Sequence, residues 1–200
     1  MSDYLDAVAA PLKGPRRLRE DMLAEIGDGF EDAVAERIGA GLSPREAARD
    51  AAAEFGEPRI VAAEVQRELA AAQAKRTAWT FVTALPAMTI MWDLFSGDGE
   101  VSLAITLLAR LTDTATAAAF VTGALVLTGH LHRRAAGLCG VLGITQVTVA
   151  LACSAVIGAI GEGGGPVAPW AALLGASAVG SVVVVASSAR ALAVARTRIT

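Results

Sequence analysis

From residue 18 the chain places an apolar side chain at every fourth position, Leu18, Met22, Ile26, Phe30, Val34 and Ile38, with charged residues on the other faces. That period predicts an amphipathic helix with one buried stripe. Pro15 opens it and Gly39 to Gly41 end it. Gly27 and Gly29 weaken it locally, each by about 1 kcal/mol relative to Ala, which implies close packing against a neighbour or a bend. A shorter helix is expected before it, over residues 3–12.

The next helix start is written out as SPRE: Ser43 as N-cap, Pro44 at the first helical position and Glu46 at the third compose a capping box. Ala48, Ala51, Ala52 and Phe55 follow as a narrow stripe. Gly56 supplies the stop, and Pro58 restarts the chain as a helix whose apolar face is Val61, Val65, Leu69 and Ala72. Helices this short bury little apolar area, so such a head gains from packing on a partner, a second copy or the rest of the chain.

Beyond residue 76 the pattern changes from amphipathic to uniformly apolar. About 20 apolar residues span a bilayer, and four stretches are expected to do so: 77–95, 108–130, 135–160 and 168–189. The expected fold is all-α, a small helical domain of three to four helices over 1–76 followed by a four-helix transmembrane bundle over 77–200. No Pro or Gly falls between Ile60 and Pro86, so the last head helix is expected to continue into the first span. Pro86 predicts a kink there. Gly137, Gly140 and Gly143, then Ala150, Ser154 and Gly158, then Ala172, Ala176 and Gly180, recur at helix-packing spacing.

Charge sharpens this division. Residues 1–76 carry eleven Lys/Arg and fifteen Asp/Glu, against six and five in residues 77–200. An acidic head argues against direct nucleic-acid binding, which requires a basic surface. Across the whole chain 54% of residues are hydrophobic and the mean hydropathy is +0.52, above the usual globular share. Lys75 and Arg76 precede the first stretch, Arg133 and Arg134 separate the second and third, and Arg190, Arg196 and Arg198 end the fourth. The opposite loops hold Asp98, Glu100 and Glu162 with no Lys or Arg. The positive-inside rule then predicts a multi-pass protein of the cytoplasmic membrane with both termini cytoplasmic. The acidic N-terminus does not resemble a signal peptide.

Candidate chemistry is sparse. Arg110 and Asp113, three apart on one face of the second stretch, are expected to pair as an intramembrane ion pair, structural or functional, or interfacial if the span begins near Leu111. Thr112, Thr114 and Thr116 are expected to line a polar seam or bond back to the backbone. Cys139 and Cys153 lie 14 residues apart, about 21 Å along a helix, too far for a disulfide, and read as buried thiols. GEGGGP at 161–166 lacks the Lys and Ser/Thr of a phosphate loop. His130 and His132 have no ligand-spaced companions, and no nucleophile–base pair is evident, so no enzyme activity, cofactor or metal is expected.

The run YLDAVAAPLKGPRRLREDMLAEIGDGFEDA, the SPREAARDAAAEFGEP turn and the basic residues before the membrane resemble the permease prefix domain and the related HAAS signalling domain, over residues 3 to 76. The most specific element is the helix-stop-Pro pattern at Phe55, Gly56 and Pro58. The resemblance implies a cytoplasmic helical module of bacterial, especially actinobacterial, membrane proteins that meets a protein partner, such as a PadR-like transcription regulator. The alternative it implies is an accessory or small permease subunit of an ABC-type efflux system. The large external domain of the permease version is missing. On either reading the exposed head charges Arg16, Arg17 and Arg19 are the candidate partner contacts. Homo-oligomerisation through the small-residue faces stays open.

Overall fold

The computed structural model describes residues 2–95, 102–131, 134–160 and 167–197. Within them the chain forms seven helices and no strand: α1 Ser2–Ala9, α2 Arg16–Gly39, α3 Pro44–Phe55, α4 Pro58–Phe95, α5 Leu103–Leu127, α6 Ala135–Ile160 and α7 Val167–Arg196. They divide into two compact units, one of Met1–Gln73 with Ala193–Thr200 and the other of Ala74–Leu192.

Local signals set the boundaries in the first unit. Ser43 Oγ accepts the Glu46 N–H at 3.4 Å while Glu46 Oε2 accepts the Ser43 N–H at 3.1 Å, a closed capping box at the start of α3. Gly56 ends α3 at φ +89, a backbone conformation that needs glycine. The core of this unit is Val8, Leu12, Ala62, Val65 and Leu69, with Leu18, Met22 and Ile26 of α2 packed on it. Phe30 of the same stripe is buried between aromatic neighbours. Tyr4 stacks on it with ring centroids 5.0 Å apart, and Phe55 meets it edge-on at 5.4 Å. Gly27 is buried in an uninterrupted helix, with Leu5 at ordinary contact distance from where its Cβ would lie.

The second unit contains the rest of α4 together with α5, α6 and α7. Thr77 hydrogen-bonds Ser187 (Oγ1 to Oγ, 2.9 Å), Met88 lies against Gly180, and Trp92 Nε1 donates to Ser177 Oγ at 3.1 Å. As numbers rise on α4 they fall on α7, so the two helices run antiparallel side by side. Phe81, fully buried, occupies the junction: a side chain at Gly123 of α5 would meet its Cβ at 3.2 Å, and one at Gly143 of α6 its ring at 2.8 Å. Gly140 therefore acts as expected, with the Ser188 carbonyl of the α7 backbone against it, whereas Gly143 and Gly180 make room for the side chains of Ser188, Phe81 and Met88. Cys139 and Cys153 are buried and unpaired with each other.

The span count differs from the expectation. Among the described residues three helices are long and apolar enough to cross a membrane, Leu103–Leu127, Ala135–Ile157 and Leu174–Arg196, and the expected stretch at 77–95 is not one of them. Thr77, Thr80, Thr83, Thr89, Trp79, Trp92, Pro86 and Asp93 dilute its hydropathy. The helix does continue from the head through Pro86, as the lack of an earlier breaker implied. One line of it, Ala78, Phe81 and Leu85, is buried, while Trp79, Ile90 and Leu94 are exposed. The helix of the second expected stretch starts and ends earlier, at Leu103–Leu127, and that of the fourth, Val167–Arg196, runs on past residue 189. Asp98, Glu100, His132, Arg133, the 161–166 turn and Arg198 lie outside the described residues.

Candidate functional site

The first turn of α2 presents the three arginines in different ways, because positions 16, 17 and 19 point about 100° and 200° apart around a helix. Arg16 Nε donates to Glu20 Oε1 at 2.7 Å on the exposed surface. That hydrogen bond and the nearby carboxylate charge raise the arginine's pKa further. Arg17 is exposed. Arg19 is half-buried and turns inward, with Nη1 3.4 Å from the Leu12 carbonyl, so part of its donor capacity serves the α1–α2 turn. The remaining exposed surface of the head includes two large apolar side chains, Ile38 and Ile60, the latter 67% exposed.

Beneath that surface, Gln66 joins three segments of the chain, a role that sequence reasoning missed. Its Oε1 accepts the Lys13 N–H at 2.9 Å, its Nε2 donates to the Lys13 carbonyl at 2.9 Å, and the same nitrogen lies 3.5 Å from the Val194 carbonyl. The side chain is buried, so these bonds replace water that it cannot reach. Gly14, next to Lys13, admits the close approach: a Cβ there would lie 3.0 Å from Leu69 Cβ. The available signal was a polar residue next to Val65 on the otherwise apolar face of α4.

In the second unit the structure places Arg110 and Asp113 together on α5, at 3.9 Å, with both side chains largely exposed. Thr112 and Thr114 bond back to Leu108 and Arg110 carbonyls, whereas Thr116 accepts from Gln146 Nε2 at 3.3 Å, so each of the two expected threonine roles occurs once or more. Gln146 Oε1 and Ser188 Oγ are buried without a hydrogen-bond partner. His130 Nδ1 contacts Thr128 Oγ1 at 3.0 Å, and among the described residues no three His, Cys, Asp or Glu side chains converge as a metal site.

The head is a helical unit whose surface offers charge and isolated apolar side chains. Residues 3–64 match the HAAS family model. The match takes in α1, α2, α3 and the first turns of α4, and so describes the head. No curated protein matches the chain, and no solved structure does. The HAAS-like segment ends two residues before Gln66, which ties that segment's α1–α2 turn to the end of α7.

Proposed function

We propose that the protein is a membrane-anchored regulatory adaptor whose HAAS-like head docks a cytoplasmic protein, a PadR-like transcription regulator being the partner class considered first. The observation that carries this reading is the HAAS match over residues 3–64 on a chain with three membrane-compatible helices. Gln66 supports a regulatory role, since the end of α7 shares a hydrogen-bonding side chain with the head. The reading is non-enzymatic, and the exposed Arg16 and Arg17 are the contacts offered to an acidic partner surface.

The proposed orientation keeps head and C-terminal segment on the cytoplasmic side with Lys75, Arg76, Arg134, Arg190 and Arg196. Composition alone nominates three crossings, an odd number. The pairing of residues 77–92 with residues 187–177 supports placing this part of α4 beside α7 through the same thickness.

The test is affinity purification of the tagged full-length protein from its host in mild detergent, against a version lacking residues 1–76. Head-dependent recovery of a transcription regulator is the expected result. Recovery of an ATPase with further membrane subunits would transfer the reading to an ABC-type efflux accessory, the alternative implied by the permease-prefix resemblance. Absence of any head-dependent partner overturns the docking reading.

A further inference from the structure

The helix α5 is covered least by its own chain: 6% of its apolar window is buried, against 28% for α6 and 22% for α7. Its buried face is Ala119, Gly123 and Val126. On the opposite face Leu107, Arg110, Thr114, Ala117, Val121 and Leu125 are all exposed and follow a three- and four-residue spacing, one stripe of a helix. Lipid suffices to cover the apolar members of that stripe. It is a poor solvent for Arg110 and Asp113, whose side chains are 78% and 56% exposed.

Their position makes the problem acute. Arg110 and Asp113 stand about 10 and 15 Å along a helix about 37 Å long, which places both inside a hydrocarbon layer of about 30 Å when the helix is centred. The other polar groups of this helix make no comparable demand. Thr106, Thr112, Thr114, Thr122 and Thr128 each donate to the carbonyl four residues earlier, and Thr116 is met by Gln146.

We infer that the exposed face of α5 is covered by the same face of a second copy, forming a two-fold dimer in the membrane in which Arg110 of each chain meets Asp113 of the other. The inference rests on the membrane reading given above. Charge complementarity selects the occupant: the face carries one positive and one negative group three residues apart, so two copies related by an axis along the membrane normal exchange partners and leave no net charge. Arg110 lies near the centre of the face and Asp113 at its margin, an arrangement in which the long side chain reaches outward across the contact. Thr114 and Ala117 keep the middle of the face small, which permits backbones to approach.

The experiment uses the full-length chain in native membranes with single cysteines introduced by Leu107→Cys or Val121→Cys on this face. Leu151→Cys on α6 and Val182→Cys on α7 serve as exposed controls. The parent chain, with Cys139 and Cys153 buried, sets the background. Oxidation is expected to give a disulfide-linked dimer several-fold more abundantly from the α5 positions than from the controls. Adding R110D to Val121→Cys is expected to reduce that dimer, and adding D113R as well, which exchanges the two charges, to restore it. Equal linkage at all four positions, no linkage on α5, or indifference to R110D overturns the inference. Alkaline carbonate extraction separates the two levels: release of the chain from the membrane removes the membrane reading and the dimer with it, whereas retention without α5-specific linkage overturns the dimer alone.

Discussion

At the scale of single residues, packing distance and hydrogen-bond satisfaction decide which positions matter. Gln66→Leu keeps the volume in the head but leaves the Lys13 N–H and carbonyl without their partner. A loss of about 1–3 kcal/mol is expected from such unsatisfied groups, read as faster hydrogen exchange of the α1–α2 turn in the detergent-solubilised protein. Tyr4→Phe removes only the hydroxyl bond to the Gly56 carbonyl at 3.1 Å and keeps the stack on Phe30, so a smaller loss of about 1 kcal/mol is expected in the same measurement. In the bundle, Gly140→Ala forces a methyl group to within 2.9 Å of the Ser188 carbonyl and into the Leu192 side chain. Overpacking of this kind costs about 1–3 kcal/mol, expected as a lower thermal midpoint, whereas Gly175→Ala meets nothing within 4 Å and should leave the midpoint unchanged or slightly raised. Residue-level legibility followed the same division. The SPRE box could be read because its bonds join neighbours in sequence, but Gln66 could not, because its partners lie 53 and 128 positions away.

At the scale of elements, helix ends were more legible than helix faces. Pro15, Gly56 and Pro58 act locally and mark the observed boundaries of α2, α3 and α4. Faces depend on neighbours: of the expected α3 stripe Ala48, Ala51, Ala52 and Phe55, Ala51 is buried, but Ala47, outside that stripe, is the other buried residue, and Ile38 at the end of the α2 stripe is left exposed. The start of α3 also carries a pH dependence. Hydrogen bonds from Ser43 hold the Glu46 carboxyl below its ordinary range. A lowered folded-state pKa means that the contribution is present above the unfolded carboxylate value and is lost as pH falls through the folded one. Exchange protection of the first turn of α3 is therefore expected to hold through neutral pH and decline on acidification below the ordinary carboxylate range, and Glu46→Gln should flatten that decline. Residues 77–95 show the limit of hydropathy as a guide. Their four threonines and two tryptophans are dilute by composition, but Thr77 and Trp92 find Ser187 and Ser177 on α7, so part of the polarity is satisfied between helices.

At the scale of the whole chain, a head that matches the HAAS family model is joined to a segment with, among the described residues, three helices long and apolar enough to cross a membrane. The share of Gln66 in the end of α7 yields a prediction that neither half yields alone. Removing residues 193–200 from the otherwise intact protein should raise hydrogen exchange around Lys13 and Gln66, and a head that exchanges as before would show that the Val194 contact contributes nothing to its stability. The amino-acid sequence by itself determined the helical class, the change from amphipathic to apolar pattern near residue 76, and the helix starts and stops, because periodicity, caps and breakers act within a few residues of the chain. Only the tertiary structure decided which glycines are pressed against neighbours, that α4 pairs antiparallel with α7, that Gln66 bridges distant segments, and that Arg110 and Asp113 stand on the face of α5 that its own chain leaves bare. Those properties arise from contacts between residues far apart in sequence, and no local pattern specifies which distant residue will lie opposite.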